Sequence, residues 1–224
     1  MSTSGQPLGF QRARNPEQRE ARRRAILEVA AQLLAEMPVS DISLRELARR
    51  VGLSKTNVVR YFETREAVFF ALLNQAIGEW LDDLPGELPP ATVAQPPSPG
   101  PVMDALARSI ASRPLICELW SSLGTELERN IPTDAVRAFK LTHTDLQIRL
   151  AGIVRGRIPA LTLPASRELV SLTVLLIAGL WPFANPSPAV AAAVQDPLLA
   201  HTRVDFPDRL SRALLITATG LLTV

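Results

Sequence analysis

The stretch "SLRELARRVGLSKTNVVRYF", Ser43 to Phe62, divides at Gly52 into two short amphipathic segments. Leu47, Val51, Leu53, Val58 and Tyr61 fall where two short helices crossing at a steep angle turn inward. Ala48 sits at the crossing, where a larger side chain would push the helices apart. Gly52 occupies the tight turn, where a positive φ is cheap only for glycine. A small residue, a glycine four positions on and an apolar residue six beyond that is helix-turn-helix spacing. In that motif the outer face of the second helix enters a DNA major groove. Lys55, Thr56, Asn57 and Arg60 cannot turn inward while Val58 and Tyr61 do, so they stand outward with the donors that base edges and phosphates require. The amino terminus of the same helix offers free N–H groups and a positive dipole to a phosphate. A helical hairpin with a polar surface is the plain alternative.

Working outward, the chain reads as all-α, because glycine and proline cluster between periodic segments and Val, Ile and Thr do not alternate as strands require. Upstream, "NPEQ" starts a helix with Asn15 as cap, Pro16 at the first helical position and Gln18 completing a capping box. It runs to about Met37 with Ile26, Val29, Ala30, Leu33, Leu34 and Met37 on one stripe, and Pro38 stops it. Ser43 and Glu46 form an S-x-x-E box for the second helix, Ser54 starts the third, and Thr64 caps a long fourth helix over 64–83. A proline-rich loop at 85–101 follows, then helices near 102–112, 114–129, 133–157, 165–181 and 207–222. Residues 1–14 read as a disordered tail, 15–65 as a helix-turn-helix unit continuing into the fourth helix, and 66–224 as a larger helical body.

Charge follows the same division. Residues 1–65 hold twelve basic and seven acidic side chains, a net of +5, which leaves the rest of the chain at −3. A basic amino-terminal part suits a polyanion, although a solvated charged face gives the same count. Cys117 stands alone, which excludes an internal disulfide. The run Leu169–Phe183 is shorter than the roughly 20 residues of a spanning helix and reads as a buried soluble helix, with no membrane role. The expected compartment is cytoplasmic.

The run from Arg19 to about Trp80, above all "ISLRELARRVGLSKTNVVRYFETREAVFFALL", resembles the amino-terminal domain of the TetR family of bacterial transcriptional regulators. The resemblance spans roughly sixty residues and includes the order, the spacing and the following F-x-x-R-E-A. It implies a homodimer on a palindromic double-stranded operator, with a three-helix DNA-binding head and a body that binds a small molecule and releases the head. Ser43 and Arg45 match the start of the family's second helix, and Ser54, Lys55, Thr56, Asn57, Arg60 and Tyr61 fall in its recognition helix. Arg65 matches a position usually held by Lys. The family commonly has Tyr where this chain has Val59, and His where it has Tyr61.

In the body, His143 interrupts an apolar stripe with Val136, Phe139, Leu146, Leu150 and Ile153, and Trp120 shares a stripe with Ile116, Leu119, Leu123 and Leu127. A satisfied core histidine and plain core packing explain both, but Trp120, Phe139 and His143 are also the candidates for a mostly apolar ligand site. The two greasiest helices, carrying Leu172, Leu176, Leu210, Ala213, Leu214 and Thr217, are expected by analogy with the family to pair across a two-fold axis; a hairpin buried within one monomer is the alternative. No catalytic, metal or cofactor site is expected: Cys117 has no His at helical spacing, His143 and His201 have no acid in sequence reach, and no glycine-rich phosphate loop occurs. The reading is a regulator and not an enzyme. Its alternative is a helical interaction protein or enzyme that retains a non-specific DNA-binding head.

Overall fold

The computed structural model describes residues 16–90, 98–129 and 131–223. Within them lie ten α-helices and no strand. The tail 1–14 and Asn15, expected to cap the first helix, lie outside the described residues, as does most of the proline-rich loop.

Helix α1 (Pro16–Glu36) buries Ile26, Leu27, Ala30 and Leu33, and a short 3-10 turn after Pro38 brings Val39 into the same core. Helices α2 (Leu44–Val51), α3 (Lys55–Val59) and α4 (Arg65–Glu87) each begin on a hydroxyl cap. Ser43 Oγ accepts from the Glu46 N–H at 3.1 Å, Ser54 Oγ from that of Asn57 at 3.2 Å and Thr64 Oγ1 from that of Ala67 at 3.1 Å. Each such cap stabilises its helix by about 1 kcal/mol. The second half of the expected box at Ser43 is not made, because the Glu46 carboxylate turns to Arg49 at 2.5 Å and Arg50 at 3.3 Å. Gly52 closes α2 at φ 72°, and the Leu53 N–H reaches back to the Ala48 carbonyl at 2.9 Å. Only glycine takes this left-handed position without strain, and the closure fixes the angle between α2 and α3.

Helix α4 runs four residues past its expected end, through Pro85. Proline has no N–H for the Leu81 carbonyl; Arg149 supplies the missing donor, reaching Leu81 O at 3.1 Å and Asp82 at 2.6 Å. The proline-rich connector is correspondingly shorter than expected. Helix α5 (Pro99–Ala111) starts with Pro99 and Pro101 in its first turn, where no intrahelical N–H is needed.

The expected helix 114–129 is broken. Helix α6 (Pro114–Ser122) passes into a π-helical turn, Leu123–Leu127, before α7 (Thr133–Arg157). Helix α8 (Leu163–Ala184) is followed by a short α9 (Pro188–Ala193) and a 3-10 turn at Pro197–Thr202, both in the interval between the last two expected helices, and then by α10 (Phe206–Leu221). In the body α10 packs on α5 and α8, α7 lies between α4 and α8, and α6 fills the centre against α4, α5 and α8. Trp80 donates its indole N–H to Ser109 Oγ at 2.8 Å, and Trp181 donates to Glu118 at 2.9 Å, pinning α4 to α5 and α8 to α6.

Two expectations about the last helices require correction. The α8 run is not buried all round: Leu169, Val170, Thr173 and Ile177 face inward, while Leu175 and Phe183 are 64% and 72% exposed. This helix also has the length and apolar composition to cross a membrane, but its inner face is packed on α6, α7 and α10. Conversely, Leu210 and Leu214, expected at a subunit interface, are fully buried inside the monomer. They lie four residues apart on the side of α10 that packs against α5 and α8, so the outward side carries Leu215 and Ile216 instead. Leu172, Leu176, Ala213 and Thr217 are half-buried at the margin, and the Thr217 hydroxyl is used within the helix, donating to Ala213 O at 2.9 Å.

Candidate nucleic-acid interface

The inner face of the helix-turn-helix is formed by Leu47, Ala48, Val58 and Phe62, all buried, with Ile26 and Leu33 of α1 above them. Because these residues must be hidden, the opposite face is left to water. Ser43, Arg45, Ser54, Lys55, Thr56 and Arg60 are exposed and Asn57 is half-buried. Ser43, Arg45, Lys55 and Arg65 border one shallow concavity of about 400 Å³, so residues from α2, α3 and the start of α4 converge on a single surface. The α3 helix is only five residues long, and Ser54 already occupies the Asn57 N–H. The dipole and free N–H groups expected there are therefore reduced, and the side chains are the main donors.

Two of the proposed contact residues are turned elsewhere. Tyr61 is half-buried and borders a cavity behind the recognition helix. Arg65 is also half-buried: its guanidinium pairs with Glu126 in the π-helical turn, and its Nε lies 3.6 Å from Glu66 without a hydrogen-bond partner. No sequence pattern marked Glu126, which is 61 positions away.

The interior residues Trp120, Phe139 and His143 do come together, as a packed and hydrogen-bonded cluster. Trp120 donates its indole N–H to His143 Nε2 at 3.3 Å, and indole is a donor only, so that ring nitrogen must be unprotonated. His143 Nδ1 then donates to Asn74 Oδ1 at 3.0 Å, and the Asn74 amide points to Phe139 O at 3.5 Å. Asn74, a lone amide on the apolar stripe of α4, was missed from sequence. Burial, aided by the positive charge of Lys140, holds His143 far below its ordinary value, at about 4. Phe139 borders a space of about 570 Å³ between α1, α4 and α7. Burial pushes the Cys117 thiol up to about 12, which leaves it inert as a nucleophile. Among the described residues there is no cluster of His, Cys, Asp and Glu able to hold a metal ion.

Comparison with known proteins bears on this geometry. Residues 74–224 match the tetracyclin repressor-like C-terminal domain, and residues 26–72 match the bacterial regulatory proteins of the tetR family. The chain belongs to the TetR family. Within that family, it is 34% identical over 64 residues to the HTH-type transcriptional regulator RutR of Escherichia coli K12, an alignment covering 29% of this chain and 30% of RutR. It is 38% identical over 55 residues to the HTH-type transcriptional regulator EthR of Mycobacterium tuberculosis H37Rv, covering 25% and 26%. The match thus spans under a third of these curated relatives. A TetR transcriptional regulator from Rhodococcus sp. RHA1 superposes with a TM-score of 0.59 at 21% identity over 91% of this chain and 96% of that one. A tetR-family regulator from Streptomyces coelicolor superposes at 0.50 and 18% identity, covering 88% and 90%. These likenesses establish a shared TetR-family fold.

The His143 network gives a pH signature. A histidine whose folded-state value lies below its unfolded one contributes stability that is present above about pH 6.5 and lost as the pH falls towards 4. NMR titration of the His143 ring should place its midpoint near 4, and urea unfolding should show stability declining over that interval. A midpoint near 6.5 would mean that the Trp120–His143–Asn74 network is not formed in solution.

Proposed function

We propose that this chain is a dimeric DNA-binding transcriptional regulator, a repressor released from a palindromic operator by a small-molecule effector, acting in the cytoplasm. The observation that carries the reading is the outward row Ser43, Arg45, Ser54, Lys55, Thr56 and Arg60 on a glycine-closed helix-turn-helix. In this reading Asn57 reads a base edge, and Lys55 and Arg60 take a guanine or a phosphate. The head reaches to about Arg65 and the body follows, with α4 shared by both.

A dimer accounts for the apolar surface left open. Leu175, Gly179 and Phe183 on α8, with Ile216 and Gly220 on α10, are exposed on adjacent helices. The same pair from a second copy would cover them in a four-helix interface, the glycines allowing close approach. Two heads held in this way meet successive major grooves about 34 Å apart. An effector shifts the body between states only in so far as it binds them unequally.

Three measurements test the proposal. In gel-shift assays with the chain's own upstream region, Asn57→Ala and Lys55→Ala should each weaken site-specific binding by roughly 1–3 kcal/mol if they read bases. Indifference of both, with weak binding that lacks sequence preference, would favour the alternative of an interaction protein or enzyme with a non-specific head. Glu126→Gln frees Arg65 and should tighten binding while steepening its salt dependence by about one to two phosphate contacts per dimer; an unchanged slope would show that Arg65 stays away from DNA. Leu175→Glu combined with Ile216→Glu should sediment as a folded monomer, since burying two carboxylates in an apolar interface costs several kcal/mol. A persistent dimer would place the interface elsewhere.

A further inference from the structure

The cavity of about 570 Å³ at the junction of head and body falls within the roughly 300–1,000 Å³ typical of small-molecule sites. It exists because the facing sides of α4 and α7 are short there: Ala67 and Ala71 on one helix oppose Ala135 and Ala138 on the other. Behind them Phe70 and Phe139 stack with centroids 4.1 Å apart, which gives the space an aromatic base. Its charged lining is unbalanced. Glu20, Glu63 and Asp134 border it, and none forms an ion pair with a described residue. Arg23, the one cation bordering it among the described residues, is laid with its guanidinium 4.5 Å over the Phe62 ring. Three carboxylates against one guanidinium beside low-dielectric walls focus a negative potential into the opening.

The geometry points to a binding site for an amphipathic organic cation, with an aromatic body seated between α4 and α7 and an ammonium group at the rim among Glu20, Glu63 and Asp134. An anion would meet the same three carboxylates, and a neutral ligand would gain nothing from them. Both the head, through α1 and the turn after α3, and the body, through α7, form the walls. An occupant therefore favours whichever seating of α7 against α1 and α4 closes best around it. That consequence rests on the regulator reading; the binding itself does not.

The test is calorimetric titration of the free, full-length protein with biphenyl-4-ylmethylammonium, biphenyl-4-carboxylate and biphenyl-4-methanol, three probes of one shape and different charge. The ammonium probe should bind about tenfold tighter than the carboxylate, the scale expected of one or two rim charges in a high-dielectric setting. Glu63→Gln with Asp134→Asn should remove most of that preference while leaving the neutral probe unaffected. Ala138→Trp, at an exposed position on α7, should fill the space and abolish binding with the thermal melt retained. Equal binding of ammonium and carboxylate, unchanged binding to the Ala138→Trp protein, or no binding of the ammonium probe to folded wild type would each overturn the proposal. Because DNA is absent, these outcomes are independent of the gel-shift result that decides the regulator reading.

Discussion

Helix α4 is the constraint on which the rest of the structure depends. It buries Val68, Phe69 and Phe70 near its start and Leu73, Ile77, Trp80, Leu81 and Leu84 further along, with no break between them. The residues beside the helix-turn-helix and those in the centre of the body thus belong to one rigid rod and one continuous core. A change in how α6 or α7 sits on the far part of α4 cannot be absorbed at a hinge between head and body, since a packed helix transmits displacement along its axis. The rod even passes through Pro85 without ending, because Arg149 takes over the carbonyl that the proline leaves unbonded.

Polar groups are placed where this rod meets its neighbours. Trp80 bonds Ser109 on α5, Asn74 bonds His143 on α7, and Arg65 pairs with Glu126 after α6. Each contact joins segments distant in sequence, and each is directional where the surrounding apolar packing is not. A half-satisfied network is costly in a low-dielectric interior, so the neutral tautomer of His143 is the state that keeps all members bonded. Arg65 is the exception: its Nε lacks a hydrogen-bond partner, and its charge is shared between Glu126 and Glu66.

The outer side of α8 and α10 presents the opposite situation, with apolar residues and no partner. Scattered exposed leucines are ordinary, but Leu175, Phe183 and Ile216 lie on neighbouring helices and include two of the largest exposed apolar side chains in the described chain. The monomer places its best-filling residues, Leu210 and Leu214, inward and leaves the second apolar stripe outside. The result is an apolar face on α8 and α10 that the monomer itself does not cover.

Local chemistry was legible in the sequence. Hydroxyl caps at Ser43, Ser54 and Thr64, the glycine at position 52 and the inward set Leu47, Ala48 and Val58 act through spacings of one to six residues, and those spacings mark the helix-turn-helix, while the likeness to the family rests on the longer run from Arg19 to about Trp80. The helical stripes of α1, α4 and α7 followed from the 3.6-residue period for the same reason. What the period could not decide was which of two apolar faces turns inward, so Leu210 and Leu214 were assigned to the wrong side. It also could not reveal that Trp120, Phe139 and His143 fill one another, that Arg65 is drawn to Glu126, or that four alanines on two helices leave a space between them. Those features depend on contacts between residues tens of positions apart, and such contacts are set by how helices cross and by which carbonyls and carboxylates the crossing brings within reach.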